Sequence, residues 1–145
     1  MSKERIFPEY VQLDALNEMG KGCMVEHVGI EFTEIGRNYI EAEMPVDHRT
    51  QQPLGLLHGG ASVVLAETLG SVGATLLLEM GKQYAVGLEI NTNHIKAVKT
   101  GKVTGRATPI HIGRGTHVWS IESRNEKKEL VSISRITMAI LNNKS

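Results

Sequence analysis

The chain has 145 residues, 41% of them hydrophobic, and its 16 basic and 16 acidic side chains cancel. That length makes one ordinary domain, able to bury roughly 70% of its unfolded surface without a disulfide or structural metal. A balanced chain lacks the basic excess of a dedicated nucleic-acid binder, and the single cysteine, Cys23, excludes an internal disulfide and suits a reducing cytoplasm.

The first eight residues, through Pro8, lack the apolar stretch of a signal peptide, so a cytoplasmic protein is expected. Tyr10, Leu13, Leu16 and Met19 recur at steps of three and predict a short amphipathic helix over 9–19, stopped by Gly20 and Gly22. Val28, Ile30 and Phe32 alternate with Gly29, Glu31 and Thr33 as in a half-buried strand. After a turn at 36–38, Ile40, Ala42, Met44 and Val46 give a second strand, with Pro45 near its end. Residues 47–57 form a loop leading to a long, nearly uncharged helix over 58–80. Glu67, Gly70 and Gly73 interrupt that apolar run, which reads as a buried helix and not a membrane span. Gly81 is its expected stop.

Tyr84, Val86, Leu88, Ile90 and Thr92 then alternate with Ala85, Gly87, Glu89 and Asn91, predicting a strand that runs to about Val98. Further strands are expected at 102–112, around Val118 and Ser120, and at 129–141, separated by turns at 100–102, 113–115 and 124–128. The short links predict an antiparallel meander of these four strands. A single helix apolar around most of its circumference has to be wrapped. The expected class is α+β, a curved antiparallel sheet folded about one long central helix. No repeat, low-complexity tract or linker is visible, so residues 1–145 read as a single domain.

Glu67 is the conspicuous residue, because an ionised carboxylate in apolar surroundings costs several kcal/mol unless paired or neutralised. Ser71 shares its helix face one turn later. Gly59 and Gly60 open the helix, where unpaired N–H groups and a partial positive charge can hold an oxyanion. His58 and Gln52 lie just upstream, and each can donate to a carbonyl. Taken alone, each has a plain explanation: an ion-paired Glu, a small packing Ser, glycines for close packing, a His cap. Together they supply what attack on a carbonyl requires, a polarised oxygen and a base or nucleophile opposite.

The stretch from Gln51 to Ser71 (QQPLGLLHGGASVVLAETLGS) resembles the signature of the hotdog-fold acyl-CoA thioesterases. It is most similar to the branch that includes 1,4-dihydroxy-2-naphthoyl-CoA hydrolase and the enterobactin-pathway proofreading thioesterase. Gly87–His94 (GLEINTNH) and Pro109–Gly113 (PIHIG) lean toward the former, and the likeness runs from about Leu13 to the last strand. The resemblance implies a hotdog fold and roles position by position. Glu67 would be the nucleophile or general base. Gly59 would supply the N–H that polarises the thioester carbonyl. Gln52 and His58 would bind the carbonyl or orient the leaving thiolate, and Ser71 would place the water. It also implies a site shared between two chains of a homodimer that pairs again into a homotetramer. Leu54 stands where an aromatic is frequent in this branch, which bears on the acyl pocket.

Coenzyme A would enter as part of the substrate, with no separate cofactor. Its candidate contacts are Asn93, His94 and Lys96 on one strand and His111, Gly113 and Arg114 at a later turn. Spacing alone favours a simple hairpin turn with a solvated Arg at 113–115; the resemblance reverses that preference for His111 to Arg114. His58, His94, His111 and His117 have no metal-ligand spacing, and neither a P-loop nor a strand-borne GxGxxG occurs. His27 and His48 are expected at the surface, and Trp119 in the core or an interface. Three rival readings stand beside an aromatic acyl-CoA hydrolase: a broad proofreading or medium-chain thioesterase acting on coenzyme A or carrier-protein esters, a hotdog hydratase, and a non-catalytic acyl-CoA-binding module.

Overall fold

The computed structural model describes residues 4–144. Helices α1 (Leu13–Met19) and α2 (Met24–His27) precede strands β1 (Glu31–Ile35) and β2 (Ile40–Pro45). The long helix α3 (Gly59–Thr75) follows, then β3 (Gln83–His94), β4 (Lys102–Ile112), β5 (Thr116–Arg124) and β6 (Leu130–Asn142). All six strands form one antiparallel sheet in the order β1-β2-β4-β5-β6-β3. The α3 helix lies across it and packs on five of the strands. This is the wrapped helix of the expected hotdog fold.

Close approach of helix and sheet depends on small residues in α3. A methyl on Gly70 would lie 2.5 Å from Ile136, and one on Gly73 3.0 Å from the Trp119 ring. Leu65 and Leu69, both fully buried, fill the space over Gly105 of β4. Phe7 stacks on Trp119 with ring centroids 6.2 Å apart and closes that end of the core. The cooperative unit is thus a helix thinned by glycine on a sheet face of Val, Ile, Met and Trp, where any added carbon meets a neighbour.

Four expectations need correction. The meander holds only for β4-β5-β6. The β3 strand pairs with β6 at the sheet edge and not with β4. Because β3 and β4 are antiparallel, the chain needs only a lateral step past two strands, about 14 Å, which residues 95–101 cover easily. That link passes the start of α3, where the Leu57 N–H donates to the Val98 carbonyl at 2.8 Å. Second, β3 stops at His94, short of Val98, and a bulge between Gly87 and Glu89 shifts its register. Tyr84, Val86 and Leu88 are therefore exposed, whereas Ile90 packs on the core.

Third, the first helix is shorter than expected, with Leu16 as its buried residue and Met19 exposed. Tyr10 and Met19 are nine residues apart, about two and a half turns, so steps of three carry the apolar set round to the opposite face. Finally, α3 ends at Thr75 and not Met80. The N–H groups of Leu77 and Leu78 bond to the carbonyls of Ala74 and Thr75, tightening into turns before Gly81 at φ +80°.

Candidate active site

The loop over 47–57 sets the start of α3 by backbone bonds. The His58 N–H donates to the Thr50 carbonyl at 2.8 Å, and the Gln52 N–H to the Leu56 carbonyl at 2.8 Å. His58 is the N-cap, its Nδ1 accepting from the Gly60 N–H at 2.7 Å. An accepting Nδ1 carries no proton, so the neutral ring presents its N–H at Nε2, away from the helix. The His58 carbonyl takes the N–H groups of Ala61 and Ser62. Among the described residues no acceptor meets the Gly59 N–H. The Gln52 side chain is fixed in the same sense. Its Oε1 accepts from the Leu54 N–H, which leaves the amide NH₂ free to donate.

Gln52 and Gly59 line a cleft of about 360 Å³, with His94 and Lys96 also in its wall; His58 is not part of that lining. His94, expected among the coenzyme contacts, stands directly over the helix start. A methyl on Gly59 would lie 3.1 Å from its Cε1 and Nε2. Sequence spacing gave no sign of this contact, because it depends on where β3 ends against α3.

Two turns along α3 the chemistry inverts. Glu67 is half-buried, its Oε2 is sealed from solvent with no hydrogen-bond partner, and no cation is paired with it among the described residues. Burial raises its pKa above the ordinary carboxylate value. Ser71 makes no bond back to a carbonyl of its own helix. Thr68 and Thr75 bond back to the carbonyls of Val64 and Ser71 at 2.7 and 2.8 Å, whereas Ser71 Oγ meets only Met138 Sδ at 3.9 Å. Gly87 of β3 lies against the Glu67 carboxylate, and Met138 is its cross-strand partner in β6. Neither was singled out from the sequence, since only strand register brings them together.

The predicted residues thus fall into two groups within one chain. Gly59 and Glu67 are eight residues apart on one helix, about 12 Å along its axis. The coenzyme candidates divide likewise. Asn93 and His94 lie beside Ile133 and Ser132 of β6, and Lys96 donates its backbone N–H to the Val131 carbonyl while its side chain is bridged to Glu129 at 2.9 Å. His111, Gly113 and Arg114 lie at the other end, where the Ile140 N–H bonds the Gly115 carbonyl. Seven residues of β6 separate Ser132 from Ala139, roughly 23 Å of strand. At the 113–115 turn the Gly113 N–H is held by the Thr116 carbonyl at 2.9 Å, so it is not open to a phosphate. The Arg114 side chain is exposed. His117, just beyond the second group in sequence, is buried with its Nδ1 3.5 Å from the Trp119 indole nitrogen.

The family model described as "Thioesterase superfamily" matches residues 54–132, more than half of the chain and the whole of α3. The chain belongs to the hotdog thioesterases. Among the relatives of this thioesterase, 1,4-dihydroxy-2-naphthoyl-CoA hydrolase of Escherichia coli is 52% identical over 136 residues, covering 94% of this chain and 99% of that protein. The proofreading thioesterase EntH of Cronobacter sakazakii is 47% identical over 136 residues, covering 94% and 98%. The crystal structure of a thioesterase from Haemophilus influenzae matches with a TM-score of 0.91 at 49% identity, covering 94% of this chain and 95% of that one. The thioesterase is accordingly a thioester hydrolase. Among its described residues no helix is long and apolar enough to cross a membrane.

Proposed function

We propose that this thioesterase hydrolyses an aromatic acyl-CoA, with 1,4-dihydroxy-2-naphthoyl-CoA the leading substrate, at sites composed of two chains. The observation that carries the reading is the state of Glu67, a carboxylate with a buried oxygen that nothing among the described residues of its own chain neutralises. Groups perturbed by desolvation in this way concentrate where proton transfer or nucleophilic attack is needed. Its own Gly59 N–H is out of reach, so a second chain is required to bring acid and donor onto one carbonyl. The unpaired edge of β3 offers the means. An antiparallel pairing of two such edges turning about Ile90 and Asn91 sets Gly87 of one copy opposite His94 of the other. That carries Glu67 of one chain toward Gly59 of its partner. It also brings the coenzyme candidates near Lys96 toward those at His111–Arg114. Two such dimers associating would give the homotetramer.

In this arrangement the thioester oxygen takes the Gly59 N–H, backed by the Gln52 amide and the His58 Nε2–H. Glu67 attacks the carbonyl carbon or draws the proton from a water held by Ser71. In either course one water is consumed, the C–S bond breaks and the coenzyme thiol departs. The nearly identical coverage of the E. coli hydrolase supports the naphthoyl substrate, and the reducing compartment suited to free Cys23 supports a cytoplasmic setting. The likeness to EntH favours, as a second reading, a broader proofreading role on carrier-protein esters. Thiol release from naphthoyl, benzoyl, phenylacetyl and straight-chain CoA esters tests both. A dominant kcat/KM for the naphthoyl ester supports the first; comparable values across the panel, or preference for a carrier-bound ester, support the second.

A further inference from the structure

Five glycines of this chain have positive φ, namely Gly22, Gly29, Gly55, Gly81 and Gly101. Gly87 is not among them, so its backbone conformation would accept a side chain. It also sits inside a twelve-residue strand, where glycine gives up packing and β preference. What crowds position 87 is Glu67. A methyl there would stand 3.1 Å from Oε1 and 3.4 Å from Oε2. The bulge that begins at Gly87 adds to this placement, since bulges re-aim the chain beside functional groups. Across the strand pair, Met138 lies opposite Gly87 and is itself fully buried. Its thioether sulfur is what the Ser71 hydroxyl meets. Two cross-strand neighbours therefore form the floor beneath Glu67 and Ser71, one under each.

We propose that Gly87 is a positioning residue for thioester hydrolysis: by leaving its Cβ volume empty at the bulge, it fixes where the Glu67 carboxylate points, while Met138 holds the Ser71 hydroxyl beside it. This rests on the reading of Glu67 as the catalytic carboxylate. Gly87→Ala forces the carboxylate to yield by a few tenths of an ångström. Since about 1 Å of misplacement can cost 10²-fold in rate, the expected loss in kcat is about tenfold. Substrate binding is untouched, so KM stays within about twofold. The fold tolerates the change, because alanine at a permitted φ reduces the freedom of the unfolded chain.

The test compares wild type, Gly87→Ala, Glu67→Asp and the double variant, by steady-state kinetics on an aryl-CoA ester the wild type hydrolyses and by thermal melting. The expected result is a lowered kcat in Gly87→Ala with KM and Tm held, and a double variant no slower than Glu67→Asp, whose shorter side chain has already drawn back from position 87. An unchanged kcat in Gly87→Ala overturns the proposal. So does a loss that multiplies with that of Glu67→Asp, one that follows a lowered Tm, or a raised KM with kcat intact. A wild type that releases no thiol from any ester overturns the hydrolase reading itself, and is distinguished by failing before any substitution is made.

Discussion

The two polar stations on α3 are built on opposite rules. At the helix start, groups are arranged to donate, and their orientation is fixed by bonds already made: His58 by Gly60, Gln52 by Leu54. Around Glu67 and Ser71 the groups are left short of partners, and the walls are sulfur and an absent side chain. The first station is preorganised by hydrogen bonds and adds little strain. The second holds an acceptor in a place that disfavours its charge, so it lowers stability.

The largest expected effect breaks the second station. Glu67→Gln should cut kcat by about 10²–10⁴-fold, the range of a lost acid–base group, while coenzyme A still binds. The same variant should be more stable than wild type at neutral pH. Burial raises the Glu67 pKa above its unfolded value of about 4.3. The favourable linkage is therefore fully present below that value and is lost as pH rises through the folded pKa. Melting curves should show the advantage of Glu67→Gln closing on acidification; an advantage independent of pH would mean that charge burial is not its source. At the first station, Gly59→Ala should slow turnover by about tenfold or more, since donors at an oxyanion must keep their geometry. The added methyl meets the His94 ring at 3.1 Å, so His94→Ala in that background should recover part of the rate. No recovery would place the damage in the N–H itself.

The smallest effect concerns His117, which belongs to neither station. Burial, and then the neighbouring His111, hold its pKa below the ordinary imidazole value. The unfolded chain thus takes up its proton first, and the linked stability is lost as pH falls below about 6.5. His117→Gln should flatten the acid side of the Tm profile without altering its neutral plateau.

Much of the first station was legible in the sequence, because it is local. A cap, two glycines and an upstream amide lie within nine residues, and helix ends impose the same demands everywhere. Glu67 was legible because a carboxylate in an apolar run is costly wherever the run folds. The floor of the second station was not. Gly87 reads as one member of an alternating strand, and nothing near it indicates that a bulge reverses the alternation or that Met138 lies opposite. Likewise the residues after His94 read as strand to about Val98 followed by a hairpin turn at 100–102. A lateral step of about 14 Å between strands running in opposite directions needs only a few residues more than a turn, so length did not tell the two apart. His94 was assigned to the coenzyme because its strand position was visible and its contact with Gly59 was not.

The β3 strand, twelve residues long and hydrogen-bonded on one side only, has a last consequence. A bare border of that length adheres to whatever strand it meets. In the two-chain site proposed above, solubility and turnover would share a single seam. Dilution would silence the hydrolase before unfolding it, and a freshly made lone chain would leave cellular thioesters untouched until it found its twin.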